Sequence, residues 1–595
     1  MKTVKTLKFN ELENLLKGIQ KPGRYINHEI GANSKDINKI ADFTDIVFTA
    51  LIFPDVYEIG MSNLGMQILY EIINRRENFS AERVFSPWID FEKKLRDFNI
   101  KLFSLENRIF LDCFDVLGFS VQHEMLYTNI LNILDLGNVE IHTRKRKSRF
   151  PLVCAGGPAV VNPQPLSKFM DFIVIGDGEE IIVSILEKVK AYKESNKDKS
   201  WFLKEIGRLD GVYIPGFYKF YYYRDGRIKS IEPFKKVKKA VVKDLNKFDV
   251  VLTPVIPNIK TVHDRFVVEI MRGCSRGCRF CQAGMIYRPV RQRDVNSLIK
   301  QSVKGIKSTG YGEISFLSLS TADYKNIGYL LEGITSSPKL NKISISLPSL
   351  RLDSFNFHLA ELIGSGRRTG LTFAPEAGSQ RMRDIVNKNI SEEEMMECIK
   401  MALGRGWERV KLYFMIGLPF ERGEDIERIV VLIKKIINTA KNILPKRSFR
   451  RFKINVSINA FCPKPFTPFQ WVGQDDTGSL EKKFDYIIKN ISKRFVKLSW
   501  SNPQKSKIEC ALSMGNPGIC EVIEKAWRGG AKFDNWTDLF NYEIWEKAFR
   551  ETELDIGFFT TREIQAGETL PWDIIDIGTS KKFLLKEYEK SRNYN

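Results

Sequence analysis

Apolar and polar positions alternate in two long stretches of this chain, and each stretch predicts a layered α/β unit. The first opens on Asp45-Ile-Val-Phe-Thr-Ala-Leu-Ile-Phe53, a continuous apolar run of the kind that marks a strand buried on both faces. Val116–Ser120, Pro151–Ala155 and Phe172–Ile175 repeat the pattern, with helical periodicity between them, as at Asn63–Asn74. Strand alternating with helix predicts a doubly wound, Rossmann-like parallel sheet. The second stretch carries six apolar runs: Phe266–Ile270, Glu313–Leu319, Lys342–Leu347, Gly370–Ala374, Arg409–Ile416 and Asn455–Ala460. Helical segments separate them at Asp294–Ser308, Asp353–Gly364, Ser379–Leu403 and Gly423–Thr439. Six successive βα units predict a partial, TIM-like (β/α)6 barrel, whose chemistry gathers at the strand carboxyl ends.

The pattern divides the chain into five parts. Residues 1–40 form a lead-in with Leu12, Leu15 and Leu16 at helical spacing, and 41–200 hold the first sheet. Residues 201–260 are a connector in which Gly211–Tyr223, an Asp225-Gly226 turn and Ile228 read as an aromatic hairpin. Residues 261–500 hold the barrel. Residues 501–595 are mainly helical, with segments at Glu521–Trp527, Ala531–Trp536, Tyr542–Phe549 and Thr579–Ser591.

Composition narrows the class. Hydrophobic residues are 43% and charged residues 28%, ordinary for a globular chain. No apolar run is long enough for a membrane span, and Met1-Lys-Thr-Val-Lys leads into no apolar core of a signal peptide. Nine cysteines in 595 residues are too sparse and too odd for a disulfide framework, so a reducing cytoplasm is expected. The net charge of +21 includes basic runs at Arg144–Lys147, Lys235–Lys239 and Lys446–Arg451. Such runs nominate RNA or another polyanion as a partner, with a solvated basic face as the alternative.

The strongest chemical signal follows the first barrel strand: Met271-Arg-Gly-Cys274-Ser-Arg-Gly-Cys278-Arg-Phe280-Cys281-Gln-Ala-Gly284. Three thiolates on one loop can hold three irons of a [4Fe–4S] cluster and leave one iron open. Zinc is the alternative, but its closed sites need a fourth ligand, and the candidates are His263 and the distant Cys398. The spacing Cys-x3-Cys-x-Phe280-Cys resembles the signature of the radical S-adenosylmethionine superfamily. That resemblance implies that S-adenosylmethionine chelates the open iron and that a six-unit barrel surrounds it. It further implies cofactor contacts at Phe280 within the loop and at the strand ends: Ser318 and Ser320, Ser346, Glu376 and Arg381 in Pro375-Glu376-Ala-Gly378-Ser379-Gln-Arg381, and Gly417. Glu376 has a second reading as a neighbour of a helix cap, for which Ser379 is the better candidate. Cys462, after the sixth strand, is either a hydrogen-atom donor, an extra ligand or inert core.

Two strands of the first sheet end in glycine loops, Ala155-Gly156-Gly157-Pro158 and Ile175-Gly176-Asp177-Gly178-Glu179-Glu180. Tight βα turns need glycine, and so does close backbone approach to a ligand. Ahead of the cysteine loop, they resemble the cobalamin-binding domain of cobalamin-dependent radical enzymes. By that resemblance Tyr57, Ser120, Gly156, Gly157, Pro158, Gly176, Gly178 and Glu179 line cobalamin. The loop that usually carries a cobalt-ligating histidine reads Asp55-Val-Tyr57-Glu58-Ile-Gly60, so the cobalt would lack a histidine ligand; His123 is read as structural. The whole chain resembles a family of fused cobalamin-binding and radical S-adenosylmethionine proteins, on Pro54–Asn63, the cysteine loop and Thr372-Phe-Ala-Pro-Glu-Ala-Gly378.

The function implied is reductive cleavage of S-adenosylmethionine to a 5′-deoxyadenosyl radical, fed by an electron donor such as flavodoxin or ferredoxin. Cobalamin-assisted methylation or other modification of an unactivated carbon would follow, with RNA as the candidate substrate. The alternatives are a radical enzyme with a vestigial cobalamin domain and a non-catalytic iron–sulfur redox sensor that binds nucleic acid.

Overall fold

The computed structural model describes residues 4–40, 42–248, 251–340, 343–347 and 371–594. The lead-in forms a helix at Phe9–Leu16 whose Leu12 and Leu15 are buried. The first sheet then contains β1 (Val47–Phe53), β2 (Phe79–Phe85), β3 (Val116–Ser120), β4 (Leu152–Gly156), β5 (Phe172–Val174) and β6 (Val212–Tyr213), in the order β2-β1-β3-β4-β5-β6. The first five strands are parallel and β6 is an antiparallel edge. That edge takes Val212 and Tyr213 out of the expected hairpin, which is β7 (Lys219–Tyr222) and β8 (Ile228–Glu232). Tyr57–Gly60, read as loop, is a short helix.

The sequence pattern passes over β2 because it carries Glu82 and Arg83. Both are buried, and burying a charge is tolerable only when it is paired and hydrogen-bonded. The partners come from afar. Arg83 Nε lies 2.7 Å from Glu106 and its Nη1 donates to Glu29 at 3.1 Å. Ser104 and Asn107 donate to Glu82 at 2.5 Å each.

The connector ends in β9 (Val237–Lys238). After it come β10 (Phe266–Glu269), β11 (Met271–Arg272), β12 (Arg291–Gln292), β13 (Glu313–Leu317) and β14 (Ser344–Ser346). β10, β13 and β14 form a parallel three-stranded sheet. A parallel four-stranded sheet follows, made of β15 (Leu371–Glu376), β16 (Arg409–Ile416), β17 (Lys453–Ala460) and β18 (Val496–Trp500). β18 adds a strand that the sequence reading lacked. The expected helix at 353–364, together with Lys342 and Gly370 of the expected strands, lies outside the described residues.

Two expected helices are corrected. Ser379–Leu403 is two helices, Gln380–Ile385 and Glu392–Gly404. Asn387 and Asn389 adopt left-handed backbone, at φ 55° and 49°, which no continuous helix allows. Residues 531–536 form turns rather than a helix. The final strand, β19 (Ile575–Asp576), pairs with β9 and so returns the C-terminal region to the connector. Among the described residues no helix is long and apolar enough to cross a membrane.

Candidate active site at the cysteine loop

Cys274, Cys278 and Cys281 lie on the connection between β11 and β12, which pair antiparallel as a short ribbon at the end of β10. All three are half-buried and none is in a disulfide. Gly273 starts the loop at φ 91°, and a Cβ there would lie 2.7 Å from the Tyr287 carbonyl and 2.8 Å from that of Pro289. Only glycine makes that entry without moving backbone. The Gly284 N–H points at Cys281 Sγ, 3.4 Å away. Burial pushes the Cys281 thiol up to about 11, so the loop as it stands holds a thiol, and metal binding would release its proton.

The strand ends converge on this loop. After β13, Asp323 accepts from Arg276 Nε at 2.7 Å. Phe280 packs in a small core with Ala377 after β15, Leu418 after β16 and Phe461 after β17. Gln282 donates to the Pro465 carbonyl at 3.2 Å. The break between the two helices after β15 also serves the loop. Arg279 N–H donates to Val386 O at 3.0 Å, its guanidinium to Asp384 O and Ile385 O, and Asn387 Nδ2 to Gly277 O at 2.9 Å. The Asn-Lys-Asn run at 387–389 is the sequence signal for that break, and it was missed.

Of the expected S-adenosylmethionine contacts, Glu376 is close enough to Cys281 for its charge to add to the rise in that thiol's pKa. Its backbone is left-handed at φ 68°, beside a register shift in β15, and Lys388 Nζ donates to its carboxylate at 2.9 Å. A non-glycine residue held there signals strain that the surroundings must support. Ser320 is buried, and its hydroxyl has no partner among the described residues. Ser318 is buried against Thr321, 3.0 Å away. The others are placed differently. Ser346 accepts from Arg265, which precedes β10, at the far end of that strand from the cysteines. Arg381 donates to Phe420 O at 2.9 Å and pairs with Asp425. Gly417 N–H donates to Glu421 at 2.8 Å. Ser379 is the cap of the following helix, accepting from Met382 N–H.

The zinc alternative loses its extra ligands. Cys398 is buried in the core of the four-stranded sheet, and His263 Nδ1 is bonded to Arg265 at 3.0 Å. Cys462 sits beside the Cys510 thiol, and burial raises its pKa well above the usual range, which disfavours the thiolate that an extra metal ligand would need. His123 belongs to a half-buried ion cluster with Glu509 (3.4 Å), where Lys464 bridges Glu124 and Glu509.

The glycine loops of the first sheet meet protein. A Cβ on Gly157 would lie 2.4 Å from Val121 O, and one on Gly176 2.1 Å from Ala240 O, because the connector bridges to Gly176 there. Gly156 is inside β4, Pro158 opens a single turn, and Gly178 packs against Leu69. Glu179 pairs with Arg272 at 2.6 Å. Tyr57 is buried and donates to Glu29 at 2.5 Å, and Ser120 accepts from Gln122 at 3.0 Å. The cavity between the two loops, Lys239–Val241 and Ile286–Arg288 is about 50 Å³, room for a water or two. These residues do not fit a corrinoid tail. A larger cavity, about 700 Å³, opens beside Cys274 between Arg276, Lys238, Arg288, Asn387 and Phe583.

Comparison with known proteins agrees with the site. Residues 65–215 match the N-terminal domain of radical SAM proteins, and residues 268–433, which include the cysteine loop, match the radical SAM superfamily. An uncharacterized protein of Methanocaldococcus jannaschii is 28% identical over 80% of this chain and 90% of its own length. A tRNA-2-methylthio-N(6)-dimethylallyladenosine synthase of Oceanobacillus iheyensis is 24% identical over 28% of this chain and 34% of its own. The radical S-adenosylmethionine methyltransferase TsrM of Kitasatospora setae, solved with cobalamin and a [4Fe–4S] cluster, aligns over 69% of this chain and 72% of its own at 12% identity and a TM-score of 0.45. The three cysteines gathered among converging strand ends thus lie inside a radical SAM domain at residues 268–433, and a radical SAM N-terminal domain precedes it at residues 65–215.

Proposed function

We propose that this chain is a radical SAM enzyme in which Cys274, Cys278 and Cys281 hold a [4Fe–4S] cluster and the surrounding strand ends bind S-adenosylmethionine. The observation that carries the reading is the set of contacts around the cysteine loop, which the ends of β13, β15, β16 and β17 all reach. A site that only stored a metal would need the cysteines alone. When bound, such a cluster supplies the electron that breaks the C5′–S bond of S-adenosylmethionine and yields a 5′-deoxyadenosyl radical.

The chain's own residues do the positioning. Arg279 and Asn387 hold the loop against the end of the helix after β15. Glu376, oriented by Lys388, offers a carboxylate to an ammonium group or to ribose hydroxyls, and Ser320 offers a buried hydroxyl that no group among the described residues uses. The cavity beside Cys274 is of ligand size. We read the two parallel sheets as parts of one partial barrel, and the five-part division of the chain as its domain plan. No corrinoid step enters, because the loops expected to hold one are engaged by protein.

The substrate is a carbon centre not named by these residues. RNA stays a candidate through net charge alone. Within the basic runs, Arg146 and Lys239 are buried and spend their donors on backbone carbonyls, so those runs are not continuous phosphate-binding faces. The test is anaerobic reconstitution with iron and sulfide, followed by reduction with S-adenosylmethionine present. Methionine and 5′-deoxyadenosine should form in the wild type and not in Cys278→Ala. Absence of both products from a wild type that holds iron would overturn the reading.

A further inference from the structure

The ribbon that carries the cysteines is gripped by a loop of the first sheet. Arg272 and Arg291 face each other across β11 and β12, at the two ends of the cysteine loop. Both reach the Gly176–Glu179 loop. Arg272 Nη1 lies 3.0 Å from one Asp177 oxygen, and its Nη2 donates to Glu179 at 2.6 Å. Arg291 pairs with the other Asp177 oxygen, which also accepts from Val242 N–H at 2.9 Å. Glu269, at the end of β10, accepts from Arg272 Nε at 2.8 Å. No side chain in this group is more than 13% exposed. Burial would raise the Asp177 carboxyl, but Arg272 and Arg291 outweigh it and hold the group below its usual range.

Charges taken out of water must be matched, and a fork bridging three carboxylates fixes direction as well as charge. The backbone of the same loop is closed to a ligand at Gly176, where Ala240 sits. We propose that the Gly176–Glu179 loop is a clamp on the cysteine ribbon and not a corrinoid cradle. Asp177 and Glu179 hold the Arg272–Arg291 rung, and the rung fixes the two ends of the loop that must present three thiolates in one arrangement. The consequence for the cluster rests on the function proposed above; the clamp itself does not.

Two readouts keep these apart. In the metal-free protein, limited trypsin digestion should cut at Arg276 and Arg279 at least about tenfold faster in Asp177→Asn and Glu179→Gln than in wild type, since breaking a buried pair loosens what it held. Equal cutting overturns the clamp, whether or not the wild type takes up iron. In reconstituted protein the same variants should lose iron to a chelator roughly tenfold faster, and unchanged loss beside faster cutting would overturn the link from clamp to cluster. A wild type that takes up no iron would count against the proposed function and leave the digestion result standing. If the single variants do not fold, the set Arg272→Met, Arg291→Met, Asp177→Asn, Glu179→Gln removes two charges of each sign, leaves Glu269 its second partner Arg293 at 3.5 Å, and keeps the digestion test. Hydroxocobalamin titrated into the full chain should give no stoichiometric absorbance change. One-to-one binding that Ala240→Gly strengthens would overturn the exclusion of a corrinoid.

Discussion

Lys464 Nζ lies 3.0 Å from each carboxylate oxygen of Glu124, joining the turn after β17 to the helix that follows β3. Glu509 lies 2.9 Å from the same ammonium, and Ser513 donates to Glu124 at 2.8 Å, so the C-terminal helix Pro503–Met514 closes the junction. His123, Glu124 and Glu509 have the makings of a metal site, but the lysine ammonium already supplies the cation among them.

Replacing that cation should therefore be costly. Lys464→Met leaves buried Glu124 and half-buried Glu509 without their shared cation, with only Ser513 and His123 beside them, and the expected loss is about 1–3 kcal/mol, as for a buried polar group that loses a bonding partner. A fall in melting temperature measures it. Lys464→Met with Glu124→Gln and Glu509→Gln should recover most of the loss, because no charge is then stranded.

The same junction should depend on pH. Burial lowers the His123 pKa, but Glu509 beside it outweighs burial, and the net shift is upward from the ordinary 6.5. Glu509 is shifted the other way: burial raises it, and Lys464 and His123 together bring it below its ordinary 4.5. A raised histidine contributes stability that is complete below pH 6.5 and lost as pH climbs through its folded value; a depressed carboxyl contributes stability present above pH 4.5 and lost as pH falls. The junction is thus strongest between these limits. Melting curves from pH 6 to 9 (a range of roughly two histidine titration widths) should fall less steeply in His123→Gln than in wild type, and parallel slopes would refute the linkage.

Gly273→Ala should disable the loop without unfolding the chain. The added methyl meets two carbonyls, of Tyr287 and Pro289, at a φ that L-residues avoid. The expected outcome is unchanged far-ultraviolet circular dichroism with iron uptake reduced to about a tenth or less, a shift of roughly 1.4 kcal/mol or more. Full uptake would show that the loop opens freely at this point.

Ser320→Ala separates a structural hydroxyl from one kept for a ligand. The Ser320 hydroxyl is buried and unpartnered among the described residues, so its removal should leave stability equal or slightly higher. If it serves S-adenosylmethionine, binding should weaken by about 0.5–1.5 kcal/mol, the worth of one neutral hydrogen bond. Isothermal titration on reconstituted protein reads this directly; lost stability with unchanged affinity would remove Ser320 from the site.

By itself the sequence determined what depends on near neighbours. The x3 and x2 spacing of Cys274, Cys278 and Cys281 puts three thiols on one loop whatever surrounds it. The apolar runs at 47–53, 116–120 and 409–416 become strands because continuous burial leaves that segment few other solutions. Tertiary structure alone decided everything that needs a distant partner. β2 reads as polar until Glu29, Glu106, Ser104 and Asn107 arrive to satisfy Glu82 and Arg83. Glu376 gains its orientation from Lys388 across a helix break, and Ser346 is drawn away to Arg265. Gly176, Asp177 and Glu179 would spell the same letters around a nucleotide tail or around Arg272, because a glycine and two carboxylates state only that something comes close and that it donates. Which partner comes is set by long-range packing, here by residues more than sixty positions away in the chain for Ala240 and ninety for Arg272.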